Sequence, residues 1–250
     1  MTAAATLGTP ARHLESVGST MDEAAAWAAD GAPHGALVVA EHQRGGRGRH
    51  GRTWDAPPGQ SLLLTVVLRP DLPSDRVGLI PLAAGLAVAE ATEAFGVAAE
   101  VKWPNDVRVE GRKLAGVLAE TTWSRGSACV LLGVGMNVAQ GAFPPPLDRT
   151  ATSLRLETGQ PVPRLAPLRP ILDRLGALLT LAESEPAALL AAVEARLERV
   201  GDEIEIRDPA SGALIAAGRV LGLAPTGALR LQTRDGERAV YAGEVTLATP

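Results

Sequence analysis

The sequence predicts an α+β protein in two parts: a large domain over residues 1–200, with a mixed sheet and flanking helices, and a small β-barrel over residues 201–250. Three observations predict it. Two apolar strand-like runs are bracketed by segments of helical length and spacing; a series of short strands with tight links follows; and beyond Gly201 the texture changes to brief alternating runs. At 250 residues and 46% hydrophobic composition the chain can bury one large core, with a small appendage besides.

Ser19-Thr20-Met21-Asp22-Glu23 opens an alanine-rich helix with Glu23 three positions after Thr20, the spacing of a capping box, and Asp30-Gly31 closes it. Ala36–Glu41 and Ser61–Leu68 read as strands, and Asp75–Phe95 reads as a helix with Pro81 near its first turns. Ala99–Lys102, Val107–Val109, Leu114–Thr122 and Ala128–Val138 form an antiparallel meander, linked by hairpin turns at Glu110-Gly111 and Ser124-Arg125-Gly126. Residues 139–164 are rich in Pro and polar side chains and read as a surface loop. Helices follow at Leu165–Leu181 and Pro186–Val200, the second with Pro in its first position. Glu203–Arg207, Ala213–Leu221, Ala228–Thr233 and Arg238–Ala242 are the barrel strands.

Composition narrows the function classes. The longest nearly apolar stretch, Val77–Ala89, falls short of the roughly eighteen residues a spanning helix needs, so no membrane segment is expected. Residues 1–11 show no secretory signal, and the single cysteine, Cys129, suits a reducing cytoplasm. A net charge of −4 argues against a dedicated nucleic-acid binder. Of 24 basic residues only Lys102 and Lys113 are lysines. Such Lys-poor, Arg-rich usage is a compositional bias with no functional message of its own.

Gln43-Arg44-Gly45-Gly46-Arg47-Gly48-Arg49-His50-Gly51-Arg52 contains no apolar residue. Glycines let backbone N–H groups converge, and arginines bring planar, permanently charged forks to the same place, so the natural ligand is an anion with several oxygens. The loop is neither a Walker loop nor a Rossmann fingerprint. A solvated surface loop, or an RGG-type segment touching nucleic acid, is the competing reading; no aromatic residue interleaves with the arginines until Trp54.

Lys102-Trp103-Pro104-Asn105-Asp106 ends a strand in a proline-directed turn, and Lys113-Leu114-Ala115-Gly116 begins the next. Period-two alternation puts Lys113, Ala115, Val117 and Ala119 on one face and Gly116 on the other, where it leaves room for a close approach. On that face Lys113 either snorkels at the sheet margin or enters a pocket, and by itself the margin is favoured. Asn137, the polar end of Gly133-Val134-Gly135-Met136-Asn137, reads alone as a strand terminator.

Taken in order, Ser19-Thr20-Met21, Gln43 with Gly46–Arg52, Lys102–Asp106, Lys113–Gly116 and Gly133–Asn137 resemble the motifs of bacterial biotin protein ligases, and the resemblance runs from about Arg12 onward. It implies a catalytic domain on a mixed sheet like that of class II aminoacyl-tRNA synthetases, and an SH3-like C-terminal barrel. The implied reaction joins biotin to the α-phosphate of ATP with Mg²⁺, releases pyrophosphate, and passes biotin to a lysine of a biotin carboxyl carrier domain. By resemblance, Arg47, Gly48 and Arg49 bind biotin and its acyl-phosphate, Arg52 reaches phosphate, and Trp54 helps close the site. Ser19, Thr20 and Gln43 face the ureido ring. Lys113 contacts the carboxylate, which makes it, with Arg49, the catalytic pair, and Asn105 and Asn137 serve the nucleotide, Asn137 at the adenine. No residues are assigned to a metal.

Met21 departs from the family's usual Asn, losing a side-chain amide contact to biotin but leaving the backbone N–H at 21 available. With about a dozen residues before the first matching block, direct DNA binding is not expected, whereas a homodimer is compatible with the resemblance. A lipoate ligase shares the fold and the adenylation logic; the arginine-glycine loop and the C-terminal barrel favour biotin.

Overall fold

The structure, a computed structural model, describes residues 6–124 and 126–247. Seven strands, β1 (Ala11–Val17), β2 (Leu37–Gln43), β3 (Ser61–Leu68), β4 (Glu100–Lys102), β5 (Asp106–Val109), β6 (Arg112–Ser124) and β7 (Ser127–Asn137), lie in the spatial order β1-β2-β3-β7-β6-β5-β4. β1 and β2 are parallel and the other pairs antiparallel, so the sheet is mixed. β1 has no sequence signature because it is an exposed edge strand with little to bury, held by its register with β2.

Helix α1 (Thr20–Ala29) packs on one face, over β2, β3 and β7. Ser19 caps it, accepting from the Met21 N–H at 3.2 Å. The capping box expected from Thr20 and Glu23 does not form, because Ser19 is the cap and the Glu23 N–H donates to Ser19 O at 3.3 Å. On the opposite face lies α2 (Leu79–Ala91), flanked by 3₁₀ turns at Ser74–Arg76 and Thr92–Phe95. Ser74–Phe95 is long and apolar enough by composition to cross a membrane. Here it is the core helix, buried between the sheet and α4 (Leu168–Ser184), with α5 (Pro186–Glu194) alongside. All-round burial, and not lipid, explains its apolarity.

Residues 139–164 are not the surface loop their composition implies. They include α3 (Leu154–Thr158), capped by Ser153, and Thr152, Ser153 and Leu154 are fully buried. Thr150–Thr152 also pairs with the start of β6: the Lys113 N–H donates to Thr150 O at 2.7 Å, and the Thr152 N–H to Lys113 O at 2.9 Å. Of the two expected hairpin turns, Glu110-Gly111 has left-handed backbone at both residues (φ 49° and 76°), as a tight two-residue turn requires. Arg125 of the second turn lies outside the described residues; the flanking Ser124 and Ser127 are paired.

The C-terminal part is a five-stranded antiparallel sheet of β8 (Glu203–Arg207), β9 (Leu214–Leu223), β10 (Leu229–Thr233), β11 (Gly236–Val240) and β12 (Glu244–Leu247), in the order β11-β10-β9-β8-β12. β12 is too short to show a period in sequence; its pairing with β8 defines it. Ile204, Ile206, Val220 and Leu231 join the same apolar cluster as the large sheet and its helices. The Trp103 indole N–H donates to Gly227 O at 3.0 Å, tying the Lys102–Asp106 turn to this second sheet.

Candidate active site

One cavity, with about 990 Å³ of atom-free space including its open mouth, runs across the α1 face of the large sheet. Strand register creates it. Lys102 pairs with Asp106, Asp106 with Gly116, Gly116 with Gly135, and Gly135 with Leu63, giving one straight row across β4, β5, β6, β7 and β3. Side chains in such a row share a face. Its middle consists of glycines, so the cavity floor there is bare backbone. At about 4.8 Å per strand, the four steps from β3 to β4 span roughly 19 Å.

The end over β3 and β7 is built from hydroxyls and an amide. Gln43 Oε1 accepts from both the Thr20 N–H (2.7 Å) and the Thr20 hydroxyl (2.8 Å), and the fully buried Thr65 hydroxyl donates to Thr20 Oγ1 at 2.9 Å. With its oxygen so occupied, Gln43 presents its Nε2 as the free donor. Met21 is buried and lies on the next glycine of β7: a Cβ on Gly133 would come within 2.8 Å of its sulfur. The Met21 N–H, expected to be available to a ligand, is engaged by the Ser19 cap. At this position the chain offers a polarizable thioether and no polar group.

Trp54 lies flat on the middle of the row. A Cβ on Gly135 would meet its ring at 2.7 Å, and one on Gly116 at 3.2 Å. Its indole Nε1 is buried and has no partner among the described residues. Lys113 stands beside it, with Nζ 5.5 Å from the ring centroid and 2.7 Å from Asp106 Oδ1. That placement corrects the alternation reading, which put Lys113 on the face away from Gly116. The β5–β6 register shifts between Val107 and Arg108, Leu114 is skipped, and Lys113 returns to the cavity face, where its Nζ is 3.3 Å from a Cβ built on Gly116. Re-aiming a side chain next to a site is what such bulges do.

The arginine-glycine loop arches over this row as a small hairpin, with Gly48 N bonded to Arg52 O at 2.7 Å and Trp54 N to Gly46 O at 2.9 Å. Gly46 is obligatory, since a Cβ there would meet Trp54 O at 2.4 Å. The three of its four arginines that line the cavity differ in their partners. Arg47 is tied to Asp22 at 2.6 Å and lies 3.6 Å from Glu120. Arg52 reaches Glu244 on β12, and that hydrogen bond raises the arginine's pKa and holds the glutamate's below its usual range. Arg49 has no carboxylate partner among the described residues. It bonds Asn105 Oδ1 at 3.3 Å, and burial lowers its pKa despite the field of Asp106. Asn105 is itself fixed by its Nδ2 to Val117 O at 2.8 Å, so it positions Arg49 from the sheet.

Asn137 is not brought to the cavity. Its Nδ2 donates to Thr152 O at 3.0 Å, and its Oδ1 accepts from Gln140 at 3.1 Å, inside a buried polar network under α3. The polar strand end is a core hydrogen-bonding post. Four cavity residues escaped the sequence reading: Thr65, Lys102, Asp106 and Glu244 support or line the site. Asp106 and Lys102 carried a signal, as members of one motif; Thr65 and Glu244 carried none. Five basic side chains, Arg47, Arg49, Arg52, Lys102 and Lys113, thus line the cavity against two carboxylates, Asp106 and Glu244. A groove with hydrogen-bonding groups at one end and surplus positive charge along the other takes a long ligand with a polar, uncharged head and an anionic tail.

Fold and cavity define the class of protein. The sequence pattern of the biotin/lipoate A/B protein ligase family matches residues 14–137, and that of the biotin protein ligase C-terminal domain matches residues 201–247. The bifunctional ligase/repressor BirA of Bacillus spizizenii is 31% identical over 239 residues, covering 94% of this chain and 73% of the relative. The biotin--[acetyl-CoA-carboxylase] ligase of Mycobacterium tuberculosis is 43% identical over 152 residues, covering 58% of this chain and 54% of the relative. Among solved structures, the biotin protein ligase of Aquifex aeolicus in complex with biotin and ATP superposes with a TM-score of 0.82 at 29% identity, over 95% of this chain and 98% of that one. This chain belongs to the biotin protein ligase family.

Proposed function

We propose that the protein activates biotin with ATP to biotinyl-5'-adenylate and transfers the biotinyl group to a lysine of a biotin carboxyl carrier domain. The observation that carries this reading is the cavity's polarity along its length. Thr20 and Gln43 offer donors and acceptors at one end, where the ureido ring of biotin needs a partner for each buried polar group. Some 10–15 Å along the row, Lys113 and Arg49 supply positive charge at the carboxyl and α-phosphate.

In the first step a biotin carboxylate oxygen bonds to the α-phosphorus and the bond to the β-phosphate oxygen breaks, releasing pyrophosphate. Two anions must meet, so the work of the residues is screening and alignment. Arg49 and Lys113 stabilise charge on the α-phosphoryl oxygens, and Arg47 and Gly48 close over the acyl chain. Trp54, stacked on Gly135 and Gly116, keeps water from the mixed anhydride. In the second step the carrier lysine amine attacks the biotinyl carbonyl and AMP departs. Mg²⁺ neutralises phosphate charge when it enters with ATP. A metal entering with ATP would be carried mainly on the substrate phosphates, and the carboxylates that line the cavity, Asp106 and Glu244, are paired with Lys113 and Arg52.

Lipoate, the rival substrate, has no hydrogen-bonding ring. It would leave the Gln43 Nε2 donor without a partner, at a cost of about 1–3 kcal/mol. A nucleic-acid module is disfavoured because Arg47 and Arg52 are already held by carboxylates. An ATP-dependent ligase with one unpaired cysteine belongs in the cytoplasm. The test is labelling: purified protein with ATP, Mg²⁺ and biotin should modify an apo carrier domain. Labelling of a lipoyl domain with lipoate, and none with biotin, would overturn the assignment.

A further inference from the structure

Lys102 is a cavity cation that the reaction described above does not use, and unlike Arg52, which is paired with Glu244, it has no carboxylate partner among the described residues. It ends β4 in direct register with Asp106, at the far end of the cross-sheet row from Thr20 and Gln43. Val101, its neighbour, is fully buried beneath α2, so alternation fixes Lys102 on the cavity face. Trp103, buried and bonded to Gly227, locks the turn that follows.

Among the described residues Lys102 makes no ion pair and no side-chain hydrogen bond. Each carboxylate in its field is engaged elsewhere: Asp106 with Lys113 at 2.7 Å, Glu244 with Arg52, and Glu198 with Arg199 at 3.3 Å and Arg108 at 3.8 Å. A half-buried ammonium without a partner is costly, and burial together with nearby Arg108 lowers its pKa. A compact point charge of this kind, at the end of a cavity with three surplus positive charges, is a place for a multiply charged anion.

We propose that Lys102 holds the β- and γ-phosphates of ATP and so binds the departing pyrophosphate. The inference rests on the biotin-activation reading and assigns the opposite end of the same cavity. Position along the row carries it. The acyl-phosphate centre lies over Gly116 at Lys113, and β5 and β4 are the next two strands outward, where the rest of the triphosphate must extend. When the α-phosphorus–oxygen bond breaks, the electron pair stays on the pyrophosphate oxygen. The Lys102 ammonium offers that oxygen a charge-assisted hydrogen bond, with no proton transfer needed.

The experiment measures magnesium pyrophosphate binding by calorimetry, then each half-reaction, for wild type, Lys102→Gln and Lys102→Arg. Lys102→Gln should bind pyrophosphate at least about tenfold more weakly and raise the KM for ATP similarly, with biotin affinity unchanged. Transfer from preformed biotinyl-adenylate to the carrier should stay within about twofold of wild type, a separation that a merely structural role would not produce. Lys102→Arg should recover part of the loss. Unchanged pyrophosphate and ATP dependence in Lys102→Gln, or an equal loss in both half-reactions, overturns the proposal. If Lys102→Gln does not fold, Lys102→Met, which keeps the stem and removes the charge, decides: weaker pyrophosphate binding at wild-type biotin affinity supports it, and an unchanged constant sinks it. Wild-type protein that binds pyrophosphate through Lys102 yet makes no adenylate from biotin would refute the biotin reading and leave this assignment standing.

Discussion

Replacing Gly135 with alanine adds one methyl group to the cavity floor, and the structure fixes what it meets. The new Cβ would lie 2.7 Å from Trp54 Cε2, 2.9 Å from Cδ2 and 3.0 Å from Nε1, where ordinary contact begins near 3.4 Å. The indole must therefore retreat by about 0.7 Å. Gly135 has no left-handed backbone, so alanine brings no φ/ψ strain, and the reduced freedom of the unfolded chain offsets part of the crowding. Overpacking of about 1–3 kcal/mol less up to about 1 kcal/mol predicts a melting point lower by no more than about 12 °C. Activity should suffer far more. A displacement near 1 Å at a reacting centre costs roughly a hundredfold, so adenylate formation should fall about ten- to a hundredfold. The sister variants give the control. A Cβ on Gly116 meets Trp54 at 3.2 Å and the flexible Lys113 tip at 3.3 Å, and one on Gly133 meets the mobile Met21 sulfur. Gly116→Ala should cost less than about tenfold, and Gly133→Ala should alter biotin affinity while sparing the chemical step. Single-turnover pyrophosphate release with thermal melts tests the series. Wild-type turnover in Gly135→Ala, or a larger loss in Gly116→Ala than in Gly135→Ala, would refute the stacking argument.

Three further outcomes are expected. Lys113→Ala removes the charge at the carboxylate and should lower biotin-dependent pyrophosphate exchange about 10²–10³-fold while the far-UV circular dichroism is preserved; near-normal exchange would return Lys113 to the sheet margin. Thr65→Val deletes the hydroxyl behind Thr20 and should weaken biotin binding about three- to tenfold with the KM for ATP unmoved, as read by calorimetry. Glu244, held below the usual glutamate range chiefly by its hydrogen bond from Arg52, keeps its charge above that range. Its stabilising contribution is full there and is lost as the pH falls through the depressed value. The pair is partly exposed, so its worth is at most about 1 kcal/mol. Amide exchange of the Gly46–Trp54 hairpin should thus be faster in Glu244→Gln than in wild type at neutral pH, with the gap closing in acid; equal rates at neutral pH would mean that β12 does not restrain the loop.

How much of the site could be read beforehand depended on whether its residues were neighbours in sequence. Thr20 beside its helix cap, Gln43 at a strand end and the arginines among glycines are local patterns, and each lines the cavity. Lys113 was placed on the wrong face because alternation assumes an unbroken ladder, and the register shift at Val107/Arg108 is a property of the pair of strands. Asn137 reads alone as a strand terminator, and its buried network was not legible because its partners, Gln140 and Thr152, lie in a segment whose composition reads as surface loop. Edge strand β1 and four-residue β12 leave no periodic trace, since one buries little and the other is too short.

By itself the sequence determined the α+β class, the change of texture after Gly201, the clustering of arginines among glycines in one loop and, through five ordered motifs, the family. It also held the scarcity of lysine, which reads as bias. Tertiary structure decided what that scarcity means at two positions. Strand pairing puts Lys102 and Lys113 on one face, a bulge turns the second inward, and Asp106 joins that one while the other has no partner among the described residues. The floor of glycines, the placement of Trp54 upon it and the contact of Arg52 with Glu244, 192 residues away, were likewise settled only by folding. The physical reason is common to all of them: local propensity and spacing act within a few residues along the chain, whereas register, burial and ion pairing are set by which segments meet across the sheet.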